Sequence, residues 1–401
     1  MPNQFFSPEG DLENYFVTEY WLIDQWVGDT LWVWGRGGIG QLGINTTAGR
    51  STPVTTSIGG SDWKQISVGS NTTGGIKLDG TLWMWGGGTQ GSLGNNISID
   101  ISTPITTFSG GTNWKQVSCG GRTTTSSFVA AIKTDGTLWT WGHNAYGMMG
   151  NNTITNRFTP VTTFAGGNNW KSVSCGRSHI AAIKTDGTLW TWGRNNAGGL
   201  GDNTIVNRST PVTTFAGGTN WKQVSAGSEY TLAIKTDGTL WSWGNGGSGR
   251  LGNSTTASIL APVTTFSGGT NWKQCSAGYA HGAAIKTDGT LWIWGAGGFG
   301  QLGNNFTTAP TDRTIPVTTF AGGTNWKQVE LGYRFSSAVK TDGTLWTWGS
   351  NAYGQIGDNT STQRNTPVTS IAGGTNWKQV SAGEFNCMAV TSGTDPTFFI
   401  S

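Results

Sequence analysis

Apolar and polar residues alternate along most of this chain in short runs of four to six, and the same order of runs returns seven times. A typical unit reads NWKQVSAG, a variable stretch, AIKTDGTLWTWG, a second variable stretch, a G-x-L-G-like turn and a polar loop leading to TPVTTFAGG. The runs are rich in Val, Ile, Thr and Trp and are bounded by Gly, Asp and Asn, the pattern of strands between turns. The Asp-Gly of TDG, set between AIK and TLW, predicts a tight hairpin, because a primed turn needs positive φ and glycine adopts it without steric cost. Four strands per unit follow: WKQVS, AAIK, TLWTW and PVTTF. No segment inside the units sustains a 3.6-residue period, so helices are not expected there.

Three motifs keep the same clock. W-x-W-G begins at Trp32, Trp83, Trp139, Trp190, Trp241, Trp292 and Trp346. W-K-[QS] begins at Trp63, Trp114, Trp170, Trp221, Trp272, Trp326 and Trp377, and a proline in P-[VI]-T closes each unit from Pro53 to Pro367. Seven copies of about 50 residues predict an all-β, seven-bladed β-propeller of four-stranded antiparallel blades around a central channel. A linear β-solenoid is the competing repeat geometry, and the ends of the chain decide against it. The first unit enters midway at DTLWVWG, while the last supplies WKQVSAG and CMAVTSG with no W-x-W-G after them. Residues 30–35 therefore complete the blade begun by residues 376–393, closing the ring by pairing N- and C-terminal strands. TFFIS at 397–401 is an alternative or additional strand for that blade. The chain divides into an arm, residues 1–29, and a propeller, residues 30–401.

The pattern resembles the regulator of chromosome condensation repeat family. A Gly after the first strand, a D-G hairpin, an aromatic-x-W-G strand and N-x-x-G-Q-L-G are matched by GRSHIAAIKTDGTLWTWG and by GFGQLG at 298–303, over about 370 residues in all. MMG at 148–150, RLG at 250–252 and GGLG at 198–201 depart from Q-L-G, which puts those loops in doubt but not the fold. The resemblance implies partner binding rather than turnover. The eukaryotic prototype is an exchange factor for a small GTPase and binds chromatin, through a wedge-like insertion and a basic tail that are not seen here. Other relatives are secreted propellers that clamp a protein, such as the β-lactamase inhibitor group, and phage-encoded propellers that look like virion components. The near-identical units rich in Thr, Asn and Gly are most similar to the last group. The expectation is a virion component of a tailed phage, mediating assembly or host-surface binding. A secreted or periplasmic protein-binding propeller is the alternative, and an exchange factor follows behind it.

Composition now makes sense. The 401 residues include 65 glycines and 23 tryptophans but only 11% charged side chains, and 21 of the tryptophans belong to the two repeat motifs. The two in TLWTW lie two apart, hence on one face of a strand, where a buried indole hides on the order of 150–250 Å². That reading outweighs a nucleic-acid stacking surface, so no specific nucleic acid is expected. Three histidines and four cysteines without a C-x-x-C pair argue against a metal site, and no nucleophile–base pattern argues for catalysis. No cofactor, metal or catalytic residue is predicted. No apolar run approaches the roughly 20 residues of a membrane helix, and no secretory leader is visible, so a soluble protein without membrane insertion is expected.

Strand parity sorts the loops onto two faces. TDG and FAGGTN turn on one side and are nearly copies, a constant face that carries all 13 lysines. The stretches after SAG and after W-x-W-G emerge on the other side and differ from copy to copy, as recognition loops on a rigid scaffold do. On this variable face lie Arg36, Arg122, Arg177, Arg194, Arg250 and Arg334, with His179, Tyr230, Tyr279, His281, Tyr333, Phe335 and Phe385. Arginine mixed with aromatics is the composition of interface hot spots, and these thirteen are the candidate binding residues, for a host-surface protein or glycan. The arm carries −6 against +9 for the remainder. Leu12, Phe16, Ile23 and Val27, with Tyr15, Leu22 and Trp26, fit one broad face of a helix ending before Gly28. Leu12, Tyr15, Phe16, Trp21, Ile23 and Trp26 are the candidate assembly residues, which seat either on another virion protein or on the chain's own propeller.

Overall fold

A computed structural model describes residues 29–122, 126–306, 309 and 311–393. Within them, 28 strands form seven four-stranded antiparallel sheets. The third complete blade is typical: β11 (Trp170–Cys175), β12 (His179–Lys184), β13 (Leu189–Gly193) and β14 (Arg208–Thr213) pair in chain order, from the channel outward. Its β12–β13 hairpin turns at Gly187, with φ +81°. Asp186 Oδ1 accepts from the Thr188 N–H at 2.9 Å and from its hydroxyl at 2.7 Å, an Asx turn that fixes the corner.

The outer strand begins three residues before its proline and stops short of the Thr-Phe predicted to end it. The ladder jumps from Thr191↔Val212 to Gly193↔Arg208. Pro211 has no N–H to donate, so it sits in an edge strand at an irregular register. Released from the strand, Phe215 stands 68% exposed in the connection to the next blade.

The ring closes as the chain ends predict. β27 (Trp377–Ala382) and β28 (Asn386–Thr391) take β1 (Thr30–Gly35) and β2 (Arg50–Thr55) as their third and fourth strands. Register runs unbroken from Thr30↔Thr391 to Gly35↔Asn386. TFFIS lies outside the described residues, as do the arm residues Leu12, Tyr15, Phe16, Trp21, Ile23 and Trp26.

Between blades the tryptophans do the packing. Within one blade Trp190 and Trp192 both meet Trp170 edge to face, with centroids 6.4 and 6.1 Å apart, and Trp170 and Trp192 pack on Phe128, Ile132 and Leu138 of the preceding blade. Trp192 is fully buried, and its Nε1 donates to the Met148 carbonyl of the preceding blade at 2.8 Å. A Cβ on Gly150, which has φ +61°, would stand 2.8 Å from that nitrogen. Seven blades repeat this contact between a glycine and a W-x-W-G indole, and the apolar residue before each glycine, Met149 or Leu200 for instance, is fully buried. MMG, GLG and RLG are therefore tolerated because each keeps the two features that the contact requires.

The inner strands are stitched around the channel. The Ser67 hydroxyl accepts from the Cys119 N–H at 2.9 Å, and Ser118, Ser174, Ser225, Ser276 and Ser381 serve the next blade in the same way. The seventh such position is Glu330. It accepts from Gln328 at 3.4 Å and Ser276 at 3.5 Å, and desolvation in the narrow lumen pushes its carboxyl up to about 7.

Candidate recognition site at the channel mouth

Where the inner strand turns outward on the variable face, each blade places a glycine and then one residue at the channel mouth. The glycine is needed because neighbouring blades nearly touch there. The Arg177 N–H donates to the Gly227 carbonyl at 3.0 Å, and a Cβ on Gly176 would stand 2.3 Å from the same oxygen. The residues that follow are Ser70, Gly121, Arg177, Ser228, Tyr279, Tyr333 and Glu384, all lining the mouth. One repeat position thus supplies seven side chains to one rim, small on one side and large on the other.

The large side is a continuous row. Arg177 reaches past Ser228 and lies 4.6 Å from the Tyr279 ring. Tyr279 stacks at 4.3 Å on Tyr333, Tyr333 lies 5.4 Å from Phe385, and Phe385 lies 4.9 Å from Tyr353. Arg36 closes the row 5.7 Å from both Phe385 and Tyr353. Arg334 branches from it, over Phe299 at 4.0 Å and Tyr333 at 4.8 Å. Guanidinium over a ring is a cation–π contact that keeps both partners available on their outer faces. Two of these cations, Arg177 and Arg36, act on Glu384. Partial burial raises its carboxyl above the usual range, while Arg177 and Arg36 and a hydrogen bond from Ser70 oppose the rise.

Other predicted residues serve the loops themselves. Arg194 pairs with Glu229 at 3.1 Å and covers Tyr146. Arg250 donates to the Gly247 and Tyr279 carbonyls, and the Arg122 carbonyl accepts from the Arg177 guanidinium at 3.0 and 3.2 Å.

Four candidates are not on the rim. His179, Tyr230, His281 and Phe335 are buried at 1% exposure or less. Each opens the second strand of its blade, where the pleat turns the ring inward, beneath the glycine of its own hairpin. A Cβ on Gly227 would stand 2.4 Å from the Tyr230 ring, and one on Gly332 2.3 Å from the Phe335 ring. The imidazoles bond to Thr231 and Ser336 at 2.9 and 3.0 Å. Desolvation holds His179 down to about 4 and His281 to about 3, so both are neutral packing groups. Variation at this position is therefore variation in core shape. Conversely, Tyr353, Phe299 and Glu384 belong to the mouth but were not singled out. They stand in the variable stretches SNAYG, AGGFG and SAGEF, and only the blade-to-blade stacking marks them.

The model of the RCC1-like domain matches residues 125–398, and the regulator of chromosome condensation (RCC1) repeat matches residues 29–76 and 79–126. The chain belongs to the RCC1-like repeat family. Within that family it is 32% identical over 352 residues to the ultraviolet-B receptor UVR8 of Arabidopsis thaliana, covering 85% of this chain and 77% of that protein. It is 29% identical to the human E3 ubiquitin-protein ligase HERC2 over 84% of this chain but only 7% of the ligase. Two solved structures share the fold. Human WBSCR16 superposes with a TM-score of 0.77 at 19% identity, over 91% of this chain and 99% of that one. Prp20p from Saccharomyces cerevisiae, described with its binding to Gsp1p and histones, superposes at 0.78 with 18% identity over 92% of each chain.

Among the described residues no three His, Cys, Asp or Glu side chains stand together as a metal site, and no helix is long and apolar enough to cross a membrane.

Proposed function

We propose that this RCC1-like propeller is a non-catalytic recognition module that holds a protein partner at the channel mouth. The unbroken row Arg177–Tyr279–Tyr333–Phe385–Tyr353–Arg36 carries this reading. Such a row offers rigid aromatic area at low entropic cost, with cations at both ends to orient an acidic or carbonyl-rich surface. The test is a photo-crosslinking amino acid at position 279, with a constant-face probe at position 186 as the control. Capture of a protein from the mouth alone, abolished by Arg177→Ala with Tyr333→Ala, is the expected result. Equal capture from both faces overturns it.

Within this reading we place the module on a virion. Sequence character carries that placement: seven near-identical units rich in Thr, Asn and Gly. Mass spectrometry of purified particles checks it, and a chain found in the soluble host fraction and missing from particles overturns it.

A further inference from the structure

The constant face is as unusual as the mouth, for the opposite reason. Six of the seven connections from an outer strand to the next inner strand carry an apolar residue that the blade does not bury, and the seventh, after β2, has Ser57 in its place. Phe108, Phe164, Phe215, Phe266, Phe320 and Ile371 are between 56% and 69% exposed. Each connection ends in an exposed lysine of the W-K motif. The second lysine, present in six units, is already engaged: Lys184, for instance, lies 4.8 Å from the rings of both Trp170 and Trp190. The W-K lysines ring the channel on this side, and the face's 13 lysines outnumber the eight aspartates described there. An apolar ring rimmed by excess positive charge is a surface shaped for an acidic, aromatic occupant.

We infer that this occupant is the chain's own arm, residues 1–28, seated on the constant face of its own propeller. The arm has five acidic residues, no lysine or arginine, and Phe5, Phe6, Tyr15, Phe16, Tyr20, Trp21 and Trp26, so its charge and its aromatics both complement the face. It also starts there. Asp29 bonds Lys378 at 2.6 Å and lines an open hollow whose wall includes Lys64, Leu78, Lys327 and Trp63. Asp29, to which the arm is joined, thus stands in a lysine-lined hollow, and 28 residues at up to roughly 3.3 Å each reach any blade. Of the two seats that the sequence leaves open, the face itself favours the intramolecular one, and this assignment is independent of the mouth.

The test uses the full chain with a photo-crosslinking residue at Tyr15 in one preparation and at Trp26 in another. Capture is expected on constant-face peptides around residues 58–64, 320–328 or 371–378. A mixture of isotope-labelled and unlabelled protein should give no mixed product. The exposed-site substitutions Lys64→Glu and Lys327→Glu should cut capture at least threefold, with an unchanged circular dichroism spectrum. Capture on variable-face peptides, capture between copies, or no capture from either position overturns the inference.

Discussion

The tryptophan layer between blades and the channel mouth are both built from one residue position repeated seven times, yet they vary in opposite ways. In the layer every blade places the same indole against the same glycine, because a missing ring leaves a cavity and a missing glycine produces a clash. At the mouth the glycine is fixed by the backbone of the neighbouring blade, while the residue after it runs from Gly121 to Arg177 and Tyr333. The fold constrains the first and leaves the second free, so the aromatic row across the mouth is not a by-product of packing.

That contrast can be broken most forcefully in the layer. Trp192→Ala removes a fully buried ring, its hydrogen bond to Met148 and its contact with Trp170. A loss of about 3–5 kcal/mol is expected in chemical denaturation, and the mouth is lost only as the ring loosens. Acid should act next, on the two imidazoles buried beneath the mouth glycines. His179 and His281 have folded values depressed to about 4 and about 3 from 6.5. Their contribution is present above about pH 6.5 and is lost as pH falls through those values. The turn aspartates, lowered chiefly by hydrogen bonds from Thr residues such as Thr188, add a second loss below roughly pH 4. Thermal melts from pH 7 to pH 3 should show the first loss shrink in a His179→Gln/His281→Gln chain. Glu330 runs the other way. Its raised value makes it a stabilising neutral group at low pH and a cost as pH rises through about 7, so Glu330→Ser, which restores the serine ring, should raise Tm at pH 8 more than at pH 5.

Tyr333→Ala sharpens the comparison from the other side. Partner affinity should fall roughly tenfold or more, while stability moves by about 1 kcal/mol or less, as read from binding isotherms and melts on the same samples. The smallest effect belongs to a single constant-face turn. Asp186→Ala removes two hydrogen bonds at an exposed corner, and a change of roughly 1 kcal/mol or less with unaltered mouth binding is expected.

How much of this was legible depended on whether one blade or two decide a residue's place. The hairpins, the order of strands and the closing of the ring follow from patterns within one unit, and the sequence suffices for them. Tyr279 and His281 stand two residues apart in one variable stretch, yet one lines the mouth and the other is buried. The difference arises because His281 opens a strand and packs beneath Gly278, which variation among copies cannot reveal. The lysines divide in the same way. All 13 stand on the constant face, and they separate into the W-K set in solvent and the I-K set lying on indoles. Tyr353 and Phe299 join the site only through rings from neighbouring loops, and no spacing within a unit shows that.

The pairing of β1 with β28 also sets a schedule. As the chain leaves the ribosome, residues 30–35 emerge early with a bare edge, and the strand that covers it arrives more than 350 residues later. Six blades can form locally as they appear, but the seventh waits until residues 377–391 have been made. Until then the nascent ring stays open at a tryptophan-bearing strand, Trp32 to Trp34, with unpaired backbone groups beside exposed indoles. Translation stalled just before Trp377 would therefore release a product that is mostly folded and adhesive at a single seam.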